Sequence, residues 1–307
     1  PGHTEGLNTK LEAMKKTIAR LPLVYQVTFS GAVPGEEVAT FLSNRRTNDA
    51  LKQNRLYEML ACDPDYVDAY GLQVVAGRNF SEDYGDDVDK LVINETAVRN
   101  LGFTSNDEAI GELVNVECTD APMQIIGVVK DYHQQALSKN YTPIMLIHKD
   151  KIAWLPQRYI SIVMTSGDPR ELVSQVHEIW NQYFADSSFD YFFLDQFFDH
   201  QYRQDEVFGV MIGAFTGLAI FISCLGLWIL VMFSCSTRTK EMGIRKVLGA
   251  SRWTLFYQLV KGFFLLILIA VVIALPLAWF SMNAWLSHYA FRTDLKAWFF
   301  IMPVLLM

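Results

Sequence analysis

The pattern of hydrophobic and polar residues changes abruptly in the last third of the chain. Residues 207–235 and 262–287 contain no charged side chain, and these runs are 29 and 26 residues long. A helix needs about 20 apolar residues to cross the hydrocarbon core of a bilayer, so both runs are predicted to be transmembrane helices. A third apolar run, residues 297–307, has eleven residues and is interpreted as the beginning of another span. The alternative for the long runs, a buried hairpin in a large soluble protein, is disfavoured by their length.

Residues 1–194 instead alternate between helical and strand-like patterns. Apolar residues recur at helical spacing near the N-terminus and predict an amphipathic helix; they are Leu7, Leu11, Met14, Ile18 and Leu21. Strands are predicted at residues 23–29, 73–75, 124–129, 144–147, 159–164 and 191–194. Asn94 is placed to cap a helix that begins at Glu95 and stops at Gly102, and another helix is predicted over residues 169–183.

These elements predict an α+β domain, and the pattern leaves open whether it contains one subdomain or two. Residues 195–206 are polar but compatible with a helix, and no Gly or Pro separates them from the first apolar run. A continuous helix over residues 195–235 would be ~60 Å long, twice the hydrocarbon thickness of a bilayer. We therefore predict an α+β domain (1–194), joined by a helical stalk (195–206) to an all-α transmembrane region (207–307).

Charge is distributed unevenly along the chain. The net charge is −7, but residues 1–206 hold 18 basic and 31 acidic residues, a net charge of −13. An acidic surface repels a phosphate backbone, which excludes nucleic-acid binding by this part. Residues 236–261 contain six basic residues and one acidic residue, and short loops of this kind stay in the cytoplasm. Residues 1 to about 206 are therefore predicted to lie outside the cytoplasmic membrane, and we expect a further helix before Pro1 to connect them to the translocation machinery.

The aromatic content and the cysteine count exclude two further classes of protein. An aromatic content of 13% supplies enough apolar surface for a packed core, which excludes a disordered chain. Four cysteines are too few for a disulfide scaffold in a chain of this length. Cys62 and Cys118 could form a disulfide in an oxidising compartment if they come within bonding distance, although two free thiols are the favoured interpretation.

The sequence contains little that is typical of an active site. It has neither the Cys and His spacing of a zinc site nor a GxxxxGK[ST] phosphate loop, so no catalytic residue, metal or cofactor is predicted. Asp131 and His133 could act together in acid–base chemistry, but a structural role is favoured because no paired nucleophile accompanies them. The Gly77-Arg78 pair is interpreted as a turn rather than as part of a phosphate site.

The two long spans carry no ionisable residue, which argues against an ion path or a proton relay through them. Gly209, Gly213 and Gly217 recur every four residues on one face of the first span. Such a face allows close packing against a neighbouring span, although glycine is also common in membrane helices generally.

The cytoplasmic segment reads RTKEMGIRKVLGAS at residues 238–251. Taken by itself, a basic run beside a span is a topology signal. The segment, however, resembles the signature of the MacB/FtsX-type ABC transporter permeases. DPDYVDAYGLQVVAGRNFS (63–81), INETAVRNLG (93–102), IIGVVKDYH (125–133) and CLGLWILVMFS (224–234) also resemble that family's external domain and second span. Because the agreement runs in order along nearly the whole chain, it is far more specific than any single motif.

The resemblance implies an inner-membrane permease with one helix before a large periplasmic domain and three after it. It also implies pairing with a second permease half or copy and with a dimer of cytoplasmic ABC ATPase subunits, in which ATP hydrolysis takes place. A four-helix permease and the second half of a duplicated eight-helix permease both fit. The residues that match the coupling segment to the ATPase are Arg238, Lys240, Glu241, Gly243, Ile244, Arg245, Lys246, Gly249 and Ala250, and the apolar Val247 and Leu248 are assigned to the same site.

Three functions are considered. The first is a permease surrounded by membrane lipids that transmits ATPase motion through the stalk to the periplasmic domain for export or extrusion of a substrate. The second is an FtsX-like signalling module that regulates a periplasmic partner protein, such as a cell-wall hydrolase, without transport. The third, a membrane-anchored enzyme, is disfavoured because no catalytic constellation is found. Transport predicts that an exported compound stimulates the ATPase, whereas signalling predicts a bound periplasmic protein and no flux.

Overall fold

The computed structural model describes residues 2–48, 53–81, 87–135, 139–152, 154–155, 157–249, 251–287, 296 and 298–300. Residues Pro1–Phe193 form one compact unit, the N-terminal unit, and Leu194–Met307 form a second, the C-terminal unit. The N-terminal unit is the mixed α/β domain that the sequence predicts, and the described part of the C-terminal unit consists of helices joined by short turns.

The elements of the N-terminal unit follow one another in the order α1 (Gly2–Ile18), β1 (Val24–Ser30), β2 (Phe41–Arg46), β3 (Arg55–Cys62), α2 (Tyr66–Ala69), β4 (Val74–Gly77), β5 (Lys90–Asn94), α3 (Glu95–Asn100), α4 (Asn106–Ala109), β6 (Leu113–Asn115), β7 (Met123–Val129), β8 (Ile144–His148), β9 (Tyr159–Met164) and α5 (Pro169–Tyr183). All of the strands belong to one hydrogen-bonded sheet.

Six strands of this sheet close into a ring, here called the strand ring. Their order is β2-β6-β7-β5-β8-β3, and β2 pairs again with β3. The β3–β8 and β5–β7 pairs are parallel, and the other pairs of the ring are antiparallel. Closure gives each of these strands a partner on both sides, which leaves the ring without an open edge. Strand β4 pairs with β7, and the β1–β9 pair joins the end of β3 through the register pair Ser30↔Cys62.

Strands β3, β5, β7 and β8 of the ring are buried on both faces. On β8, Met145 and Ile147 belong to one hydrophobic cluster, whereas Ile144 and Leu146 belong to another. Alternate residues of a strand point to opposite faces, so a strand between two apolar layers reads as a continuous apolar run. The sequence predicts β7 and β8 from runs of this kind, whereas β3 and β5 are not among the predicted strands.

A third hydrophobic cluster lies between α1, α5, β1 and β9, and we call these four elements the helical layer. Its buried members are Met14, Ile18, Val27, Leu172, Val176 and Ile179. Helix α5 begins at Pro169, and the Asp168 carboxylate accepts a hydrogen bond of 2.9 Å from the backbone N–H of Arg170. Its bounds are those predicted from the sequence, because a capping residue and a helical apolar pattern coincide there.

Several predicted elements are confirmed and one is wrong. The amphipathic N-terminal helix and the strands predicted near residues 23, 73, 124, 144 and 159 are present. Residues 191–194 do not form a strand, since 191–193 are irregular and Leu194 begins the next helix. Their aromatic rings contact one another instead, with centroids 5.8 Å apart for Phe189 and Tyr191 and for Tyr191 and Phe193.

The Gly77-Arg78 pair marks a close approach of two strands rather than a turn. Gly77 ends β4 with φ +68° and is paired with Gly127 of β7. A Cβ atom at Gly127 would lie 2.0 Å from the carbonyl oxygen of Arg78, and one at Gly77 would lie 2.2 Å from that of Ile126. Both positions therefore require glycine.

Asn94 caps α3 as predicted and also joins that helix to β8. Its Oδ1 atom accepts hydrogen bonds from Ala97 N at 2.9 Å and Ile144 N at 3.0 Å, and its Nδ2 atom donates to Thr142 O at 2.8 Å. Asn94→Ala should lower the free energy of unfolding by about 2–4 kcal/mol, because the cap is lost and buried backbone groups lose their partners. Chemical denaturation measures this.

Ser105→Ala is the matched control for that prediction. Ser105 caps α4 at an exposed site, where its Oγ atom accepts from Glu108 N at 3.3 Å. Its removal should cost less than about 1 kcal/mol. Equal effects of the two substitutions would contradict the structural role assigned to Asn94.

The C-terminal unit contains α6 (Leu194–Thr237), α7 (Thr239–Val247) and α8 (Arg252–Leu286). Residues Glu206–Thr237 and Phe264–Leu286 are long and apolar enough to cross a membrane. The 44-residue α6 would extend ~66 Å at the usual helical rise, and it includes the whole predicted stalk. The role of a stalk stays a prediction, and most of the third predicted span, 297–307, lies outside the described residues.

Candidate functional site

Helix α7 lies between the two spans in the segment predicted to be cytoplasmic. The chain leaves α6 through three hydroxyl residues whose side chains bond to carbonyl oxygens of the last turns. Thr237 Oγ1 donates to Phe233 O at 3.1 Å, and Thr239 Oγ1 donates to Cys235 O at 2.9 Å. These bonds satisfy carbonyls at the helix end, so the chain can start a new helix there.

Gly249 terminates the α7 segment. The Leu248 N–H still bonds to Ile244 O at 3.0 Å, so Leu248 completes the last turn. Gly249 then has φ +90°, a left-handed conformation in which glycine avoids the strain of a side chain. Gly249 therefore occupies the place directly after a helix C-terminus at which glycine is commonly found.

An exposed apolar face is the main feature of α7. Ile244, Val247 and Leu248 are 63%, 89% and 81% exposed, and their spacing places them on one side of the helix. Lys240 lies one turn before Ile244 on the same side of the helix, so a charged residue borders this apolar face. Three neighbouring large apolar side chains on a short helix indicate a surface that is covered by a partner or by lipid.

A charged pair flanks the apolar face. The Arg245 guanidinium lies 2.6 Å from the Glu241 carboxylate, one helical turn away, and both side chains are about half exposed. An exposed pair at this spacing stabilises a helix by only about 0.3–0.5 kcal/mol. Its larger contribution would come from charge complementarity with a partner.

The remaining residues predicted for the ATPase-coupling segment are Arg238, Gly243, Lys246 and Ala250. Arg238 and Gly243 are exposed. Ala250 and the side chain of Lys246 lie outside the described residues.

The glycine face of the first span is formed by Gly209, Gly213 and Gly217. A Cβ atom at any of these three positions would meet nothing within 4 Å. Packing of this face against another span therefore stays a prediction.

Asp131 and His133 have structural contacts in the N-terminal unit. The Asp131 carboxylate accepts hydrogen bonds from Thr96 N at 2.8 Å, Thr96 Oγ1 at 2.9 Å and Arg99 at 2.7 Å, which fastens it to the first turn of α3. The His133 ring contacts the Tyr141 ring at a tilt of 43°, with centroids 4.7 Å apart, and burial lowers the pKa of His133. The geometry therefore favours the structural interpretation of both residues.

The N-terminal unit contains a cavity that is too small for a ligand larger than water. This cavity, lined by residues that include Thr40 and Met59, has a volume of about 10 Å³, which is room for one water molecule. Within the described ranges, no group of three or more His, Cys, Asp or Glu side chains is arranged to hold a metal. Cys62 is buried and Cys118 is exposed, and both are free thiols.

One charged cluster was not anticipated from the sequence. Lys15 of α1 reaches Asp63, 2.7 Å away, and also pairs with Asp65. Lys15 lies three residues before the buried Ile18, at the border of the apolar face of α1, and Asp63 directly follows the apolar strand β3. Each position is unusual for a charged residue and is the only local signal, but the two residues are 48 positions apart, so no local pattern indicates that they pair.

Comparison with known protein families decides the class of this chain. The MacB-like periplasmic core domain matches residues 8–180, more than half of the chain, and the FtsX-like permease C-terminal domain matches residues 213–307. The chain belongs to the MacB/FtsX-type ABC transporter permeases. This membership confirms the resemblance predicted from the motifs. It makes the chain a permease component of a membrane-associated family with a periplasmic domain.

Individual relatives are distant. The uncharacterized ABC transporter permease YvrN of Bacillus subtilis is 22% identical over 66% of this chain and 52% of its own length. The macrolide export ATP-binding/permease protein MacB of Sodalis glossinidius is 24% identical over 66% of this chain and 32% of its own length. The chain therefore spans about half or less of the length of these curated relatives.

Two solved structures are also similar. The periplasmic region of MacB from Actinobacillus actinomycetemcomitans is 16% identical, with a TM-score of 0.40 over 55% of this chain and 72% of that structure. The extracellular domain of the noncanonic ABC-type transporter YknZ from Gram-positive bacteria is 18% identical, with a TM-score of 0.41 over 56% of this chain and 82% of that structure.

Proposed function

We propose that this permease transmits the motion of a cytoplasmic ABC ATPase dimer to its periplasmic domain, and that the motion drives export or extrusion of a substrate. The observation that carries the proposal is the exposed apolar face of α7, which lies between two candidate spans in a chain of this permease family. Ile244, Val247 and Leu248 would enter a groove on the ATPase, in the way that amphipathic helices bind their partners.

Helix α6 is the element that would carry the motion. It is one uninterrupted helix from Leu194 to Thr237, and α7 starts two residues after it ends. A helix of this length resists axial compression because each turn is hydrogen-bonded to the next. A displacement of α7 by the ATPase would therefore move the whole of α6, including the predicted stalk at residues 195–206.

Affinity purification of the tagged full-length protein from its native membrane tests the proposed function. We expect an ABC ATPase and a second permease half or copy to copurify, and ATP hydrolysis by the complex to rise with an exported compound. A complex that hydrolyses ATP without flux but retains a periplasmic protein would favour signalling instead. Isolation without any ATPase would contradict both functions.

Cysteine labelling tests the predicted orientation. Ser251→Cys, in a variant without the native cysteines, should react with a membrane-impermeant maleimide only after the inner membrane is permeabilised, because the basic segment is retained in the cytoplasm. Ser105→Cys should react from the periplasm without that step. Both side chains are exposed, so access depends on their side of the membrane. The opposite pattern would overturn the orientation.

A further inference from the structure

Two substructures of the N-terminal unit, the helical layer and the strand ring, meet where β1 pairs with the end of β3. The helical layer is next to the membrane helices in the chain, because only residues 184–193 separate α5 from α6. The strand ring is joined to this layer where β1 meets the end of β3, through Gly31 N to Ala61 O at 2.8 Å and Asp63 N to Phe29 O at 3.1 Å. If α6 moves the helical layer, as the proposed function requires, the motion can reach the ring through this junction.

Asp63 lies at the centre of the junction and is 1% exposed. One of its carboxylate oxygens accepts a hydrogen bond of 2.9 Å from Phe29 N, and the other accepts from the Thr28 hydroxyl. Lys15 of α1 supplies the opposite charge at 2.7 Å. A buried carboxylate with this many donors is held in one position, and loss of its cation would leave an uncompensated buried charge.

A second carboxylate and a second ion pair extend the contact. Asp65 also pairs with Lys15, and Gln26 Nε2 of β1 donates to Asp65 O at 3.2 Å. Glu12, three residues before Lys15 on α1, pairs with Lys149 at 2.7 Å, directly after β8 of the ring. Helix α1 thus contacts the ring at two points through side chains one turn apart.

The lysine at this junction remains charged. Burial alone would lower the pKa of Lys15, but the charges and hydrogen bonds of Asp63 and Asp65 outweigh it and raise its pKa above the usual value. The same balance, with Glu12 and Asp150 as the acidic groups, raises the pKa of Lys149.

We propose that the cluster of Lys15, Asp63 and Asp65, here called the junction cluster, is a positioning element that makes the strand ring move with the helical layer. This inference rests on the proposed function for its purpose, but the mechanical connection itself is a property of the N-terminal unit. Removal of the Lys15 charge should leave both hydrophobic substructures folded and loosen their relative position.

Pulsed electron paramagnetic resonance on the full-length protein measures that position. Spin labels are attached at Asp107→Cys on α4, beside the ring, and at Glu178→Cys on α5, in the layer; both side chains are exposed. The remaining cysteines are replaced by serine or alanine. The parent should give a narrow distribution of label-to-label distance, and Lys15→Met should widen it about twofold, because this contact no longer restricts the junction.

Three further variants make the result specific. Lys15→Arg keeps the charge and should restore the narrow distribution. Lys16→Met removes the adjacent exposed lysine of α1 and should have no effect. Asp65→Asn leaves the buried Lys15–Asp63 pair in place, so it should widen the distribution less than Lys15→Met does. This milder variant also provides the test if Lys15→Met fails to fold.

The outcomes separate this inference from the proposed function. Lys15→Met should leave ATPase copurification unchanged, because the junction cluster lies in the N-terminal unit and α7 does not. If Lys15→Met folds and has the parent's distance distribution, the positioning role is overturned. If Lys15→Met does not fold, an Asp65→Asn protein with the parent's distance distribution overturns it instead. A parent that binds no ATPase would refute the proposed function, while the distance measurement would still decide the role of the junction cluster.

Discussion

Ile244→Asp and Arg245→Glu are expected to release the ATPase from the permease without disturbing the rest of the chain. Ile244→Asp places a charge in the centre of the exposed apolar face of α7, which a docked partner would desolvate. Arg245→Glu reverses the charge beside that face and sets two carboxylates one turn apart, since Glu241 is its partner. Each should weaken ATPase binding by about 2 kcal/mol or more, roughly 30-fold in affinity.

Copurification of the ATPase and growth complementation measure these effects. Arg170→Glu is the matched control, because it makes the same charge change at an exposed position of the N-terminal unit. It should bind and complement like the parent. Expression level and the labelling pattern of Ser105→Cys should be unchanged in all three variants. If Ile244→Asp and Arg245→Glu both bind the ATPase and function normally, the segment is a topology signal and no more.

Gly127→Ala is expected to have the largest effect on the stability of the N-terminal unit. A Cβ atom there would lie 2.0 Å from the Arg78 carbonyl oxygen, a backbone atom that cannot move without breaking the β4–β7 pairing. Overpacking against a backbone with loss of sheet hydrogen bonds should cost about 3–5 kcal/mol, a large part of the stability of a domain. The melting temperature should fall by about 10 °C.

Thermal unfolding of residues 1–193 measures this change. We expect this fragment to fold alone because the three buried hydrophobic clusters lie within it. Gly71→Ala is the control, since Gly71 has φ +61° but open space around a Cβ atom. It should cost only about 1–2 kcal/mol of backbone strain. A Gly127→Ala fragment as stable as Gly71→Ala would contradict the close approach of the two strands.

Local signals in the sequence predict the long helices and five of the nine strands, β1, β4, β7, β8 and β9. Asp168 and Pro169 mark the start of α5, and its apolar spacing marks its extent. Asn94 is recognisable as a cap because it precedes a helical pattern. Its hydrogen bond to Ile144 at the start of β8 could not be predicted, since the two residues are 50 positions apart. The strand predicted at residues 191–194 is wrong, because four consecutive apolar residues do not by themselves distinguish a strand from an irregular segment. In the structure, aromatic rings of this segment contact one another instead.

Non-local features could not be predicted from one sequence. Closure of the strand ring depends on the β2–β3 and β2–β6 pairings, whose register no local pattern specifies. The Lys15–Asp63 pair likewise depends on how the helical layer meets the ring. The α7 site was predicted mainly by resemblance to a family, because its residues carry no chemistry of their own. The structure adds the exposure of Val247 and the position of Lys240.

Photo-crosslinking from Val247 tests the central claim most directly. A benzophenone amino acid at Val247, which is 89% exposed on α7, is irradiated in native membranes, with Val210 of the first span as the matched exposed position. Docking of α7 predicts a covalent adduct between position 247 and the ABC ATPase that mass spectrometry identifies, and no ATPase adduct from position 210. If position 247 links only to lipid, or links to the ATPase no more than position 210 does, α7 is not the site through which the ATPase acts on this permease.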